Sequence, residues 1–543
     1  MKKSTSIILT IVFTLICVSI GIPYTFAGYF GSIYCIDSVG GSDTSVGSSL
    51  SPWASVEPLK NIELKPGDKV LFKCGGTYNC ELTLTCSGTK DAPIEISSYG
   101  NGAKPVLTTQ NNTEVLRLFD CSYISLSNLE ITAHNGGGIW IDTFKQTSYG
   151  ISVDNVTFHD MQNYKVNARD NLSNGAATAR ACIMIKGLPA RSRYAVNDLS
   201  VTNCEMYDCG NGISIWGSWC DLQTPWTAAE EDIDPVYNTG VLVKDCYFHD
   251  MDSEAIIVGM CDGALVTNCR AINCCQGVGR NDDGSIQYFC AALWFWGSEN
   301  STVQYCEVAG QKNFGDGMTV DFDSHTNNCT YQYIYSHDNT SFMCNNANYS
   351  GQHGNTVRYC LSVNDNAGRT RMSTSAGEYN FKFYNNTIIN CNDFHMFDLH
   401  DSLVVNNIII PKRGCVISYD LSKNAIWHNT FSNNCYYNCM TPLIDIFAKN
   451  DVPGFTGGSG TDAYTLAMGS PLIGTGYKIN DGLTEDFFGN EITSCNIGCY
   501  GGSGTNASYE AENQYHKLGR IIRQIFDAII HEVIVSIGNL KDK

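Results

Sequence analysis

A chain of 543 residues with 43% hydrophobic and only 16% charged residues can bury a large core and is not a disordered polymer. Its net charge of -20, with no Lys/Arg run and no basic stripe interleaved with aromatics, repels a phosphate backbone and excludes nucleic acid as a partner. Fifty-one Gly against 13 Pro suit a fold of many short strands and tight bends.

Met1-Lys2-Lys3, the apolar run 7–22 and Thr25-Phe26-Ala27 before Gly28 have the three parts of a secretory signal, predicted over residues 1–27. The protein is therefore expected to be secreted or extracellular; the alternative, a membrane anchor, is disfavoured because the run is short for a span. Of 26 Cys one, Cys17, lies in this leader, leaving an odd number. Cys74 and Cys80, Cys435 and Cys439, or Cys495 and Cys499 are close enough in sequence to bridge in an oxidising compartment. Structural-zinc spacings are missing, so no metal is read from the cysteines. Residues 28–68 form an N-terminal cap with a short helix ending before Lys65-Pro66-Gly67-Asp68, which turns the chain into a strand at 69–73.

From there to about residue 450 the chain repeats. A segment apolar-x-Asn/Tyr/Asp recurs with its third residue at 128, 155, 203, 245, 268, 305, 333, 359, 385 and 406, mostly 21 to 28 residues apart, as for one coil of a solenoid. Cys204, Cys246, Cys269, Cys306 and Cys360 follow the repeat residue directly and should stack as small buried apolar groups rather than bridge. Five residues after the repeat residue stand Asp160, Asp208, Asp250, Asn273, Asp338, Asn364 and Asn390, a second column whose side chains would brace bends. His337 precedes Asp338 and stays a candidate because it flanks the coil described next.

The other strand of each coil carries the chemistry. Gly138-Ile139-Trp140-Ile141-Asp142 and the matching segments around Lys186, Trp216, Val258, Trp296 and Asp321 align as one column, with Asp142, Lys186, Trp216, Val258, Trp296 and Asp321 on one outer face. Exposed indoles, Trp294 among them, with acidic groups such as Glu254 make a carbohydrate groove, since aromatic faces cover sugar rings and carboxylates accept from hydroxyls. The loop 218–240 could instead pack over Trp216 and close it. At its centre lies Gly315-Asp316-Gly317-Met318-Thr319-Val320-Asp321-Phe322-Asp323. Strand alternation would send Met318, Val320 and Phe322 inward and Thr319, Asp321 and Asp323 outward. Asp321 and Asp323 would then stand roughly 6 to 7 Å apart, suited to dividing acid and base work, with Asp316 one bend earlier.

Residues 451–507 extend the solenoid, and within 508–543 Ile521, Ile522, Ile525, Phe526, Ile529, Ile530 and Val533 give a helix with one apolar face for the solenoid end or a partner. Gly75-Gly76-Thr77 and Pro93-Ile94-Glu95-Ile96-Ser97-Ser98-Tyr99-Gly100 resemble the N-terminal cap of secreted β-helix proteins of the pectate-lyase-like superfamily. Ser470-Pro471-Leu472-Ile473, Asp486-Phe487-Phe488-Gly489-Asn490 and Ile497-Gly498-Cys499-Tyr500 resemble the ending of many carbohydrate-active members. The resemblance implies an all-β, right-handed parallel β-helix with an N-terminal cap helix and a C-terminal amphipathic helix, acting on a polysaccharide or oligosaccharide.

Three functions fit. The first is a glycoside hydrolase using Asp316, Asp321 and Asp323 with His337 beside them, bound to substrate through Trp216, Trp294, Trp296, Asp142, Lys186 and Glu254, and needing no cofactor. The second is a uronate lyase, in which the same carboxylates hold calcium and one of Lys186, Arg369, Arg371 or Lys382 takes the proton. The third is a non-catalytic glycan-binding protein on the same scaffold.

Overall fold

The computed structural model describes residues 31–508, 516–526 and 529–530, apart from 112, 134–135, 162–180, 188–193, 218–234, 277–278, 281–285, 288–289, 313–316, 346–351, 373–376, 397 and 420–427. The leader, Asp316 and most of the 218–240 loop thus lie outside the described residues.

Each coil contributes one short strand to each of three parallel layers. The first has 14 strands, from Ile33–Ile36 to Thr430–Ser432, and the second 13, from Thr77–Asn79 to Cys435–Tyr436. The third has nine, from Leu82–Leu84 to Ser341–Asn345. It is carried on by Thr370–Arg371, Phe394–Met396 and Ile417–Tyr419, the first of which packs against Ser341–Asn345. Neighbours within a layer are successive in the chain and parallel, the expected right-handed parallel β-helix. The N-terminal cap helix is a single 3-10 turn, Glu57–Asn61.

The sequence repeat has a backbone cause. The residues at 128, 155, 203, 245, 268, 305, 333, 359, 385 and 406 all have φ between 50° and 59°, at the bend between first and second layers. The second column, from Asp160 to Asn390, is left-handed too. Asn and Asp reach that region at least cost among residues with a side chain. Their side chains then chain from coil to coil, as Asn155 Nδ2 donates to Asn128 Oδ1 at 2.8 Å and Asn390 Nδ2 to Asn364 Oδ1 at 2.8 Å.

Inside the solenoid the cysteine column is buried and unbridged. Its successors in later coils are Asn386, Asn407 and Asn434, which form a ladder that the sequence reading missed. Asn386, Asn407 and Asn434 each accept from the backbone N–H of the coil before, and Asp445 closes the row by accepting from Asn434 Nδ2 at 2.8 Å. The close cysteine pairs of the sequence are not bridged; among the described residues the disulfide is Cys275–Cys290. Cys435 and Cys439 are both buried as free thiols, and Cys495 is exposed while Cys499 is buried.

A buried carboxyl stands out further along the core. Glu378 is fully buried, accepts from Asn355 Nδ2 at 3.1 Å, and burial pushes it up from 4.5 to about 8. Its folded value exceeds its unfolded value, so the native state keeps a proton that the unfolded chain has lost, and stability falls as pH rises through that window. Glu378→Gln is therefore expected to gain in melting temperature over the wild type as pH is raised from about 5 to about 8; an offset independent of pH would show that Glu378 does not titrate there.

Residues 451–507 turn back over the outside of the last coils. Tyr333 Oη donates to the Glu485 carbonyl at 3.0 Å, Tyr384 Oη to Asp481 at 2.7 Å, and Asn385 Nδ2 to the Asn496 carbonyl at 2.9 Å. Leu466, Leu472, Ile497 and Tyr500 bury against Ile408 and Cys435. The helix at 516–526 sits on the solenoid end through its polar side. Lys517 pairs with Asp451 at 2.6 Å, and Arg520 donates to the Asn450 carbonyl and lies 4.6 Å over the Tyr437 ring. Ile522, Ile525 and Phe526 are turned outward, so of the two expected uses of the apolar face it is not the solenoid end that these three cover.

Candidate functional site

The third layer was expected to carry the site, and its register decides which residues meet. Asp142 pairs with Lys186 and Trp140 with Met184; Ile213 and Ile215 pair with Ile256 and Val258, which pair with Leu293 and Phe295. Leu293, Trp294 and Phe295 pair in turn with Val320, Asp321 and Phe322. Two corrections follow. Val258 lies in the core, and Gly259 takes its expected place beside Trp296. Asp321 is level with Trp294 and Cys344, while Asp323, whose N–H donates to the Phe295 carbonyl at 2.9 Å, is the residue level with Trp296.

The shift arises at a corner. Cys182, Ala255, Ala292 and Thr319, near the start of their strands, each turn inward beside a core residue, so two successive residues face the core and simple alternation fails. Gly212 shares this corner, where a Cβ would lie 2.3 Å from the Ala255 carbonyl oxygen. Thr319, expected outside, instead meets Ser336 Oγ at 2.5 Å and accepts from Asn339 Nδ2 at 3.0 Å in a buried network around Asp365. Met318, expected inside, packs outside the main core with Ala291, Cys344 and Trp294.

Asp321 and Asp323 do share the outer face, on either side of the core residue Phe322. They are 9% and 5% exposed. Asp323 Oδ1 accepts from Ser324 N at 2.7 Å and Ser324 Oγ at 3.2 Å, which fixes the carboxylate. The Trp294 ring, half-buried, is level with Asp321, and the Nε1–H groups of Trp294 and Trp216 have no acceptor among the described residues.

Trp216 and Trp296 lie on the same face, as expected, but at 3% and 1% exposure they are not the exposed platforms foreseen. Trp216 stands 5.7 Å from Trp296 and 6.1 Å, edge-on, from Trp294, and with Met184, Ile257 and Met260 they make a second apolar cluster outside the core. Alternation tells which face a ring leaves by, not what covers it. Trp296→Ala should consequently act on folding, costing about 3 to 5 kcal/mol of stability, rather than on sugar affinity alone. An unchanged denaturation midpoint with weakened binding would contradict this.

The other candidates are dispersed. Asp142 is fully buried and ion-paired, 3.0 Å from Arg117 Nε, with the Arg117 guanidinium 5.3 Å over Trp140. Lys186 holds its register position beside Asp142 and Trp216, its side chain lying outside the described residues. Glu254 is buried at the near edge of the same layer, where it accepts from Ser253 Oγ, beside the Cys275–Cys290 bridge. His337 stands on the second layer, not the third. Its Nδ1 meets Asp338 at 2.9 Å and its Nε2 Glu307 at 3.3 Å, as His159 meets Asp160 and Glu130, which makes it one rung of a surface ladder. Two coils beyond Asp321 the layer carries Arg371 and then His395, in register with each other, with Arg369 and Asp393 alongside.

No family model matches the chain. In sequence it is similar to a lacto-N-biosidase of Bifidobacterium longum subsp. longum, 24% identical over 584 residues that cover 85% of this chain and 36% of that protein. The chain thus spans little more than a third of that relative's length. Among solved structures it is similar to a GH136 lacto-N-biosidase from Eubacterium ramulus, with a TM-score of 0.53 and 18% identity over 77% of this chain and 68% of that one. The PL6 family alginate lyase AlyGC gives 0.50 and 12%, over 88% and 60%. These likenesses show the parallel β-helix.

Proposed function

We propose that the protein is a secreted carbohydrate-active enzyme, a glycoside hydrolase that cleaves an oligosaccharide or polysaccharide on the third layer. The observation that carries this is the placing of Asp321 and Asp323 on one outer face, with Asp321 level with the half-buried Trp294 ring. The lacto-N-biosidase similarity supports hydrolysis over the other readings. One carboxylic acid would protonate the glycosidic oxygen while the other, as carboxylate, attacks the anomeric carbon or draws a proton from water. Ser324 donates two hydrogen bonds to Asp323 and so favours it as the carboxylate. Asp321 or Asp316 is then the acid. Secretion is supported by the leader-like N-terminus and by the disulfide, which belongs in an oxidising compartment.

The lyase reading needs a calcium cage. Among the described residues no group of three or more His, Cys, Asp or Glu is placed to hold an ion, and its third carboxylate, Asp316, lies outside them. Digestion of a panel of glycans, followed by assays of reducing ends and ultraviolet absorbance, separates the readings. New reducing ends without an absorbing product are expected. Calcium-dependent release of an unsaturated product would overturn hydrolysis in favour of the lyase, and binding without cleavage would leave a glycan-binding protein.

A further inference from the structure

The outer face of the third layer changes sign along the solenoid. Asp321 and Asp323 lie on the strand Met318–Phe322 and just past its end; the next coil brings Ser341–Asn345, the next Thr370–Arg371, and the next Phe394–Met396. Thr370 pairs with Phe394 and Arg371 with His395. Phe394 and Met396 are buried in the core, so alternation turns His395, and Arg371 beside it, to the outer face. Arg371 is therefore two coils from Asp321, on the order of 10 Å along the axis at the spacing of paired strands.

The surroundings of Arg371 differ from those of four other arginines on the solenoid. Arg117, Arg270, Arg358 and Arg369 each have a carboxylate within 4 Å, and Arg371 has none among the described residues. It is half-buried, so its charge is partly desolvated. Asp393 lies alongside and is already engaged: its Oδ1 accepts from Val416 N at 3.0 Å, and Arg369 Nε lies 3.9 Å from its Oδ2. His395 adds no compensating charge. Burial, with Arg369 and Arg371 nearby, lowers its pKa to about 4, so the imidazole is neutral at neutral pH. A half-buried guanidinium with no carboxylate within 4 Å among the described residues, beside a neutral imidazole, is suited to a planar anion.

We infer that Arg371, assisted by His395 and Arg369, forms a subsite for the carboxylate of an acidic sugar, two coils from the cleaving carboxylates. This rests on the hydrolase reading and deepens it. The substrate would carry a neutral linkage at Asp321 and Asp323 and an acidic residue a short distance along the chain. The carboxylate could belong to a uronic acid or to a sialic acid cap, which share the chemistry that Arg371 reads.

Binding to the Asp323→Asn variant, which should hold ligand without turning it over, tests the subsite. The probes are trigalacturonate with its methyl ester, and sialyllactose with its methyl ester, each pair differing in charge and in the methyl that caps each carboxyl. In at least one pair the free acid should bind roughly 10- to 100-fold more tightly than the ester, as for a charge-assisted bidentate contact. Adding Arg371→Gln should erase that difference, and Arg371→Lys should restore part of it. Whichever pair responds identifies the source of the carboxylate. Equal binding of acid and ester in both pairs, no binding of any probe, or an acid preference that survives Arg371→Gln would overturn the subsite. The hydrolase reading is decided separately, by release of reducing ends from neutral glycans, so the two can fail independently.

Discussion

Asp323→Asn lowers turnover of a cleavable glycan by about 100- to 10,000-fold, the span set by removing a general acid or base from a positioned pair, and Asp321→Asn does the same if it is the acid. Neither change should unfold the protein. Both side chains leave the outer face, while the residue between them, Phe322, is the one that fills the core. Asn keeps the shape of Asp323 and its acceptor for Ser324, so the loss is one of charge. The two variants differ in what they leave behind. Removing the acid spares substrates with a good leaving group, because these need little protonation, whereas removing the base or nucleophile does not. Kinetics with an activated aryl glycoside therefore assign the roles. Full turnover by both variants would move the search to Asp316 and to Glu254 on the neighbouring coils.

Asn407→Ala costs about 3 to 5 kcal/mol of stability. Asn407 is fully buried and its Nδ2 donates to the Phe383 carbonyl at 2.8 Å, the Val405 carbonyl at 3.0 Å and Asn434 Oδ1 at 2.8 Å. Its Oδ1 accepts from Asn386 N and Nδ2, both at 3.0 Å. Alanine would leave groups of three successive coils without partners in a dry interior, each costing about 1 to 3 kcal/mol. Denaturant melts monitored by tyrosine and tryptophan fluorescence read the loss. A midpoint within error of the wild type would mean that water enters the row and takes over its hydrogen bonds.

The coil repeat was legible because one backbone requirement, a left-handed residue at each bend, selects Asn, Asp or a tolerated Tyr at the same place in every coil. The asparagine ladder was missed, although the pairs Asn385-Asn386, Asn406-Asn407 and Asn433-Asn434 put Asn in the place that Cys holds earlier. On the third layer the pattern of Trp140, Trp216 and Trp296 identified the face. Within Met318–Phe322 the same apolar spacing fits two registers, and only the inward turn of Thr319 distinguishes them. That turn depends on Ser336, Asn339 and Asp365, which belong to later parts of the chain. The same holds for Asp142, whose partner Arg117 comes from the preceding coil, and for the buried indoles, whose surroundings no single strand encodes.

The returning segment at 451–507 also changes the order in which the protein can be made. A solenoid whose coils touch only their neighbours can fold behind the ribosome, coil by coil, as each one emerges. Here Tyr333 waits for Glu485, a partner 152 residues later in the chain, and Thr387 Oγ1 waits for the N–H of Cys499, 112 residues later. The coils between them can wind early, yet their outer aromatic rows stay wet until the segment at 451–507 has been made. During that interval the nascent chain displays Tyr333, Tyr359 and Tyr384 as an open apolar strip, the stretch at which a stalled or shortened translation product would be captured by chaperones or proteases.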